Sequence, residues 1–496
     1  VLPQEGPQLS CLTVMVCLTC AARLVGQPFH AGETAQLRAF LRQNAADEGR
    51  KNFQQLGIAD TNAIDWATVT GLTWGPGGRL TAIIWNDKYL AGDLDLSGFD
   101  SLRVLRCQVN NLTSLLLARD SALVHVDCYD NLLTRMDITT NVNLQHFCCR
   151  YNRIATLDVT RNPRLTFLCL SGNPFTRFDL SNNPLLTEFY AAKCSLEEID
   201  FSRNPLLKLV SVRSNKLKRL DVSNQANLQQ LFCYDNQLTE LNVKGCKSLL
   251  RLAAYDNRLT RLDLSDCRAL QNLPLYNNAI AELDVSACPY IDFISTMNNG
   301  MHTLKLPLLP LKTLEIMCES NRFTFSALPK PMYLRSYTPQ ARRTITAPAD
   351  RVDLSSEYAV QGATSVYTWR DGETEVTPTQ SHEGRFSFPA ALSGHTLTCE
   401  VTNAAYPKLT LTYDVTLTAP TANVLLVAND ARPTVHSERG LLIVTSERPL
   451  TARVYTLTGV QVGTLRVQRG EASLALPPGL YIVSFSDGTA RKVVVE

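Results

Sequence analysis

Apolar residues recur through the middle of the chain with a period of 21 residues, from Leu102 to about Leu306. Successive turns begin at Leu102, Leu123, Leu144, Leu165, Leu186, Leu207, Leu228, Leu249, Leu270 and Ile291. With that residue as position 1, positions 4, 6, 11, 14 and 16 are apolar in nearly every turn. Position 9 is asparagine from Asn110 to Asn299, with Cys194 as the one exception. A constant inward set at a constant period predicts a solenoid, because a single turn cannot bury its apolar face alone. Positions 4 and 6 point inward from a short strand, so positions 3, 5 and 7 stand on the opposite, concave side. Equal positions then form columns on parallel strands about 4.8 Å apart. The turn is too short for a long convex helix, so extended or 3₁₀ structure is expected there.

The phrase LxxLxLxxNxL, repeated in register, resembles the leucine-rich repeat. The flanking segments follow other rules. Leu9–Ala22 is an uncharged apolar run, and residues 1–26 are expected to be a secretory signal peptide. Residues 27–90 read as an N-terminal cap, with a helix over Glu33–Asn44 and a hairpin over Gly71–Trp85 around a Pro-Gly-Gly turn. The solenoid is expected over residues 91–328, closed by a degenerate turn at Leu311–Asn321. Pro329, Pro331 and Pro339 then mark a linker. Residues 340–420 alternate as strands, and buried-type Trp369 with Cys399 resembles an immunoglobulin-like sandwich that lacks the partner cysteine. Residues 428–496 carry RVYTLTG, PGLYIVSF and a terminal KVVV, and resemble the C-terminal sorting domain of type IX-secreted proteins. The fold class expected is therefore a leucine-rich repeat solenoid, with 21-residue repeats and parallel β structure, followed by all-β sandwich domains.

The stretch GRLTAIIWNDKYLAGDLDLSG resembles the cap of internalin J-like bacterial surface proteins. That resemblance implies a non-catalytic adhesin on the cell surface, serving host interaction, biofilm formation or virulence. The sorting domain implies passage across the outer membrane, removal of the domain, and attachment to surface lipopolysaccharide or release.

Charge adds little to this picture. Lys and Arg total 48 against 46 Asp and Glu, so no general attraction to nucleic acid or acidic membrane arises. The cysteines add more. Cys107, Cys128, Cys149 and Cys233 replace core residues at position 6, and Cys246, Cys267 and Cys288 replace asparagine at position 19. Substitution at such positions predicts buried free thiols that act as small hydrophobes.

Three surfaces carry candidate chemistry. Position 15 is an aspartate column from Asp137 to Asp284, but a straight column lacks the varied loop ligands of calcium sites. His125 and His146 share position 3, beside Asp127, Cys148 and Cys169 at position 5. These are metal-ligand types, and a metal-binding enzyme would have to rest on this patch. No HExxH or GxSxG motif accompanies it, so no catalytic residue, metal or cofactor is expected. On the concave face stand Tyr129, Arg150, Tyr190, Arg213, Phe232, Tyr234, Tyr255 and Tyr276. Tyrosine with arginine is the composition of recognition surfaces, so these residues are expected to bind a protein ligand. A glycan-binding face is the alternative, since tyrosine rings also suit sugars, and mutual cross-strand support is the reading without a ligand.

Overall fold

The computed structural model describes residues 28–119, 122–420 and 433–495, except 439, 447–448, 458, 469 and 487–489. The expected signal peptide lies outside the described residues.

A helix at Ala31–Leu41 buries Leu37, Phe40 and Leu41 against the start of the coil. The concave sheet has fourteen strands. It opens with an antiparallel hairpin, Leu72–Trp74 with Leu80–Ile84, and every later strand joins in parallel. Repeat strands are three residues long, and Val210 lies opposite Leu231 one period on. The sheet outruns the repeats, continuing through Glu315–Met317 to Leu334–Ser336. The expected proline-rich linker is thus partly sheet. Leu314, Ile316 and Cys318 continue the inward apolar set there. Asn321 supplies the ladder amide, donating to the Thr296 carbonyl at 2.8 Å.

Asparagine fixes the turn after each concave strand. The preceding residue is left-handed, with φ between 52° and 57° from Val109 to Ser320 wherever it is not glycine. That reversal turns backbone groups into the core, where they need partners. Asn131 Oδ1 accepts the N–H of Leu112 at 2.9 Å, while its Nδ2 donates to the Cys107 and Cys128 carbonyls.

A second ladder lines position 19. Asn162, Asn183, Asn204 and Gln225 each donate to the carbonyl 24 residues earlier. Cys246, Cys267 and Cys288 point their thiols at the equivalent carbonyls, at 3.1, 3.8 and 3.9 Å. A thiol is a weaker and longer donor than an amide, yet it fills the same place.

The convex side takes the extended one of the two forms expected for it. Among the described residues of the repeats it holds turns and short strands, such as Arg219–Asp221 beside Glu240–Asn242, and no 3₁₀ helix. The aspartates explain this. Asp158, Asp179, Asp221 and Asp263 each accept the N–H two residues on, closing an Asx turn that does the work of a 3₁₀ turn. Of the alternating charges at position 13, Arg177 and Glu198 form an ion pair at 3.4 Å, both side chains largely exposed. Such a pair contributes little.

After the coil, Arg343–Pro348, Thr410–Thr418, Thr396–Asn403 and Ala363–Asp371 are neighbours in one sheet. Val352–Asp353, Arg385–Ser387 and Gln380–His382 form a second. Trp369 is buried and meets Phe386 and Phe388 edge-on, at 5.1 and 4.8 Å. Cys399 is directly opposite Trp369 on the adjacent strand of the same sheet. Its thiol is free, so no bridge crosses between the sheets there. This sandwich is not a detached spacer. Buried Glu357 accepts from Phe325 N at 2.8 Å and from Tyr413 Oη at 2.7 Å. Tyr406 Oη donates to the Pro329 carbonyl at 3.1 Å, and one apolar core runs from the cap into the sandwich. This compact unit ends at Thr418. The second unit begins at Ala419. Its described part is a three-stranded and a four-stranded antiparallel sheet around Leu442, Val444, Val454, Val483 and Phe485.

Candidate functional site

Short parallel strands place position 7 side chains at the same height on successive turns. Tyr234, Tyr255 and Tyr276 stack as a result, with ring centroids 4.2 and 4.3 Å apart and planes within 12° and 15°. The Arg213 guanidinium lies 5.6 Å from the Tyr234 ring. Nearer the N-terminus, Arg150 lies 4.4 Å from Tyr129 and 5.5 Å from Tyr151. Apart from exposed Tyr151, these side chains are half-buried. Burial, with a phenol on either side, pushes Tyr255 far above the usual range, so its hydroxyl stays protonated. Beside the stack, Asn298 donates to Asn277, and Asn277 to Asp256 at 2.6 Å.

Two expected anchors are not on this surface. Tyr190 and Phe232 are only 7% and 4% exposed. Position 5 is the last residue of each three-residue strand, between positions 3 and 7 on the same face. Cys148, Cys169 and Tyr190 form a small apolar cluster there, with Tyr129, Phe167 and Leu209 packed around it. Tyr190 Oη is also occupied by Glu188 at 2.8 Å.

The N-terminal half of the face holds a second stack, at position 3. His125 and His146 lie parallel, 4.0 Å apart and within 7°, and Phe167 continues the pile at 4.2 Å and 6°. Reading the histidines only as ligand types obscured this; three flat rings in consecutive turns of one column were the signal. Asp127 joins the first two rings, with Oδ2 at 2.7 Å from His125 Nε2 and Oδ1 at 2.9 Å from His146 Nε2. Arg106 Nε lies 3.6 Å from Asp127 Oδ2. Burial raises the Asp127 carboxyl, but hydrogen bonds from both histidines outweigh it and hold the group well below the usual range. Burial lowers His146, and neighbouring His125 adds to that, against the pull of Asp127.

His125, Asp127 and His146 bring three ligand atoms within 4.8 Å. Their orientation fits hydrogen bonding better than coordination. An imidazole lone pair lies in its ring plane, and these planes are parallel and stacked. One ion at about 2.0–2.1 Å from both nitrogens would sit outside both planes. Each carboxylate oxygen serves one ring instead, and Arg106 already supplies a cation.

No protein-family model matches the chain, and no curated protein matches it. Similar solved structures exist. The functional domain of InlJ from Listeria monocytogenes, described as including a cysteine ladder, is 19% identical with a TM-score of 0.31. That similarity covers 66% of this chain and 90% of the other. The internalin InlF of the same organism is 13% identical over 59% and 89% of the two chains, with a TM-score of 0.36. YopM from Yersinia pestis is 20% identical over 55% and 71%, with a TM-score of 0.37. The chain's own geometry, three-residue parallel strands paired one 21-residue period apart, sets its class. The chain is a leucine-rich-repeat solenoid. Among the described residues of the solenoid and its sandwich, no helix is long and apolar enough to cross a membrane.

Proposed function

We propose that this leucine-rich-repeat protein is a non-catalytic cell-surface adhesin that binds a protein ligand on host or bacterial cells through its concave face. The observation that carries the reading is the Tyr234–Tyr255–Tyr276 stack, half-exposed on a rigid sheet. Rigid aromatic side chains bind at low ordering cost, which suits anchors. Tyr129, Arg150 and Arg213 extend the contact surface, while Tyr190 and Phe232 support it from below.

The stack favours a protein over a glycan. A sugar ring packs on an open aromatic face, and rings about 4 Å apart close their inner faces to each other. What remains outward is a row of ring edges and hydroxyls, suited to backbone and side-chain polar groups. The His125/His146 patch is read as having no catalytic, metal or cofactor role. The sequence of the last unit supports outer-membrane passage through type IX secretion and attachment to surface lipopolysaccharide.

Binding of the purified protein to panels of host cells, bacterial cells and immobilised glycans tests the reading. Tyr234→Ala with Tyr255→Ala is expected to weaken cell binding by about 2 kcal/mol or more. Arg219→Ala with Glu240→Ala, on the other surface, is expected to leave it unchanged. Equal binding by the two folded double variants would remove the concave site.

A further inference from the structure

The His125–Asp127–His146 cluster is a largely buried arrangement of two imidazoles on one carboxylate. With both imidazoles neutral, each donates Nε2–H to its own carboxylate oxygen, while Arg106 Nε lies 3.6 Å from that carboxylate and 3.4 Å from His125 Nε2. One added proton is held beside Asp127. A second sets two imidazolium rings face to face at 4.0 Å, with a guanidinium at the edge of the same carboxylate. One carboxylate cannot balance three cations. The ring with the easier exit is His146, whose side chain is 20% exposed against 10% for His125.

We propose that His125, Asp127 and His146 form a proton-operated element that opens the N-terminal half of the concave face as the pH falls from neutral to mildly acid. His146 leaves the pile when the second proton binds, uncovering one face of Phe167 and loosening the strands at His125–Asp127 and His146–Cys148. Among the other titratable groups packed around the cluster, Cys169 is lowered, chiefly by its hydrogen bond with the Cys148 thiol, and the other thiols are raised. Cys107 and Cys128 on the core side and Cys148 beside the carboxylate are all pushed far up by burial. Tyr129 is raised as well, by burial first. Arg106 stays a cation, so the moving charges on the Asp127 carboxylate are those of its two imidazole partners. Calling this regulation of binding rests on the concave face being the binding surface; the structural change itself does not.

Histidine-labelled full-length protein followed by NMR from about pH 7.5 to about pH 4.5 tests the element. His146 is expected to take up its proton below the ordinary histidine value of about 6.5. Across that uptake, hydrogen-exchange protection of residues 125–127 and 146–148 is expected to fall about tenfold or more relative to the strands at Leu231 and Leu252. His146→Phe keeps a flat ring against Phe167 and removes the second proton, so its protection is expected to stay level. Proton uptake by His146 at or above about 6.5 would overturn the proposal. So would wild-type protection that holds throughout, or an equal loss in His146→Phe. Failure of the tyrosine variants to affect cell binding removes the binding reading and leaves this titration result standing.

Discussion

Asn152 makes four hydrogen bonds from one side chain, accepting from Leu133 N at 2.9 Å and donating to the Cys128, Cys149 and Arg150 carbonyls. Asn152→Ala would remove all four, and is expected to cost about 3 kcal/mol in urea unfolding. Replacing an exposed column residue such as Glu198 with alanine is expected to cost under about 0.5 kcal/mol. Single residues also set the response to acid. Asp127 has a depressed folded pKa, so its stabilisation is present above its unfolded value and fades as pH falls below about 4. His146 is depressed too, so the unfolded chain binds its proton more readily and stability drops as pH falls below about 6.5. Both act in the same direction. The urea midpoint is expected to decrease steadily from neutral pH to about pH 4, and His146→Phe to flatten the upper part of that decline. A midpoint that rises on acidification would contradict both assignments.

At the scale of one turn, the ladders matter more than the identity of the ladder residue. Cys246 reaches the Val222 carbonyl just as Asn204 reaches that of Leu180, each 24 residues back. Cys246→Asn is therefore expected to be tolerated within about 1 kcal/mol, whereas Cys246→Leu, lacking a donor and larger, is expected to cost about 2 kcal/mol or more. The thiols of Cys107, Cys128, Cys246, Cys267 and Cys288 are fully buried. Mass spectrometry is expected to find them alkylated only after unfolding, and a disulfide within either column would refute the column argument. Much of this was legible in the sequence, since a period of 21 with fixed columns leaves one way to coil. Which concave residues remain exposed was not legible. Alternation assigns Tyr190 and Phe232 to the same face as Tyr234, and only the neighbours packed around them decide their burial.

Over the whole molecule, the coil and the first sandwich share a core, with Glu357 as the buried polar link. Glu357→Ala strands Phe325 N–H and Tyr413 Oη, and is expected to cost about 3 kcal/mol and to split one unfolding transition into two. A chain ending at Thr418, where the compact unit ends, is expected to unfold at the same denaturant concentration as the full protein. Truncation after Tyr481 removes the strand at Ala490–Val495, which pairs with Gly479–Phe485. In a host with type IX secretion, that protein is expected to stay in the periplasm, and its normal surface display would refute the sorting assignment.

The sequence alone determined the coil, its inward set, its asparagine ladder and the two columns of thiols, because each is a periodic demand made on every turn. It also determined that tyrosines and histidines line one face. Tertiary structure decided what those side chains do there. Strand spacing closed the tyrosine faces against one another, and the same spacing set two imidazoles on one carboxylate. It also decided that the proline-rich stretch after the repeats joins the sheet and core, since burial there depends on the sandwich packed beyond it. Periodicity reports what every turn has in common, whereas ring contacts and domain junctions depend on neighbours that no single turn specifies.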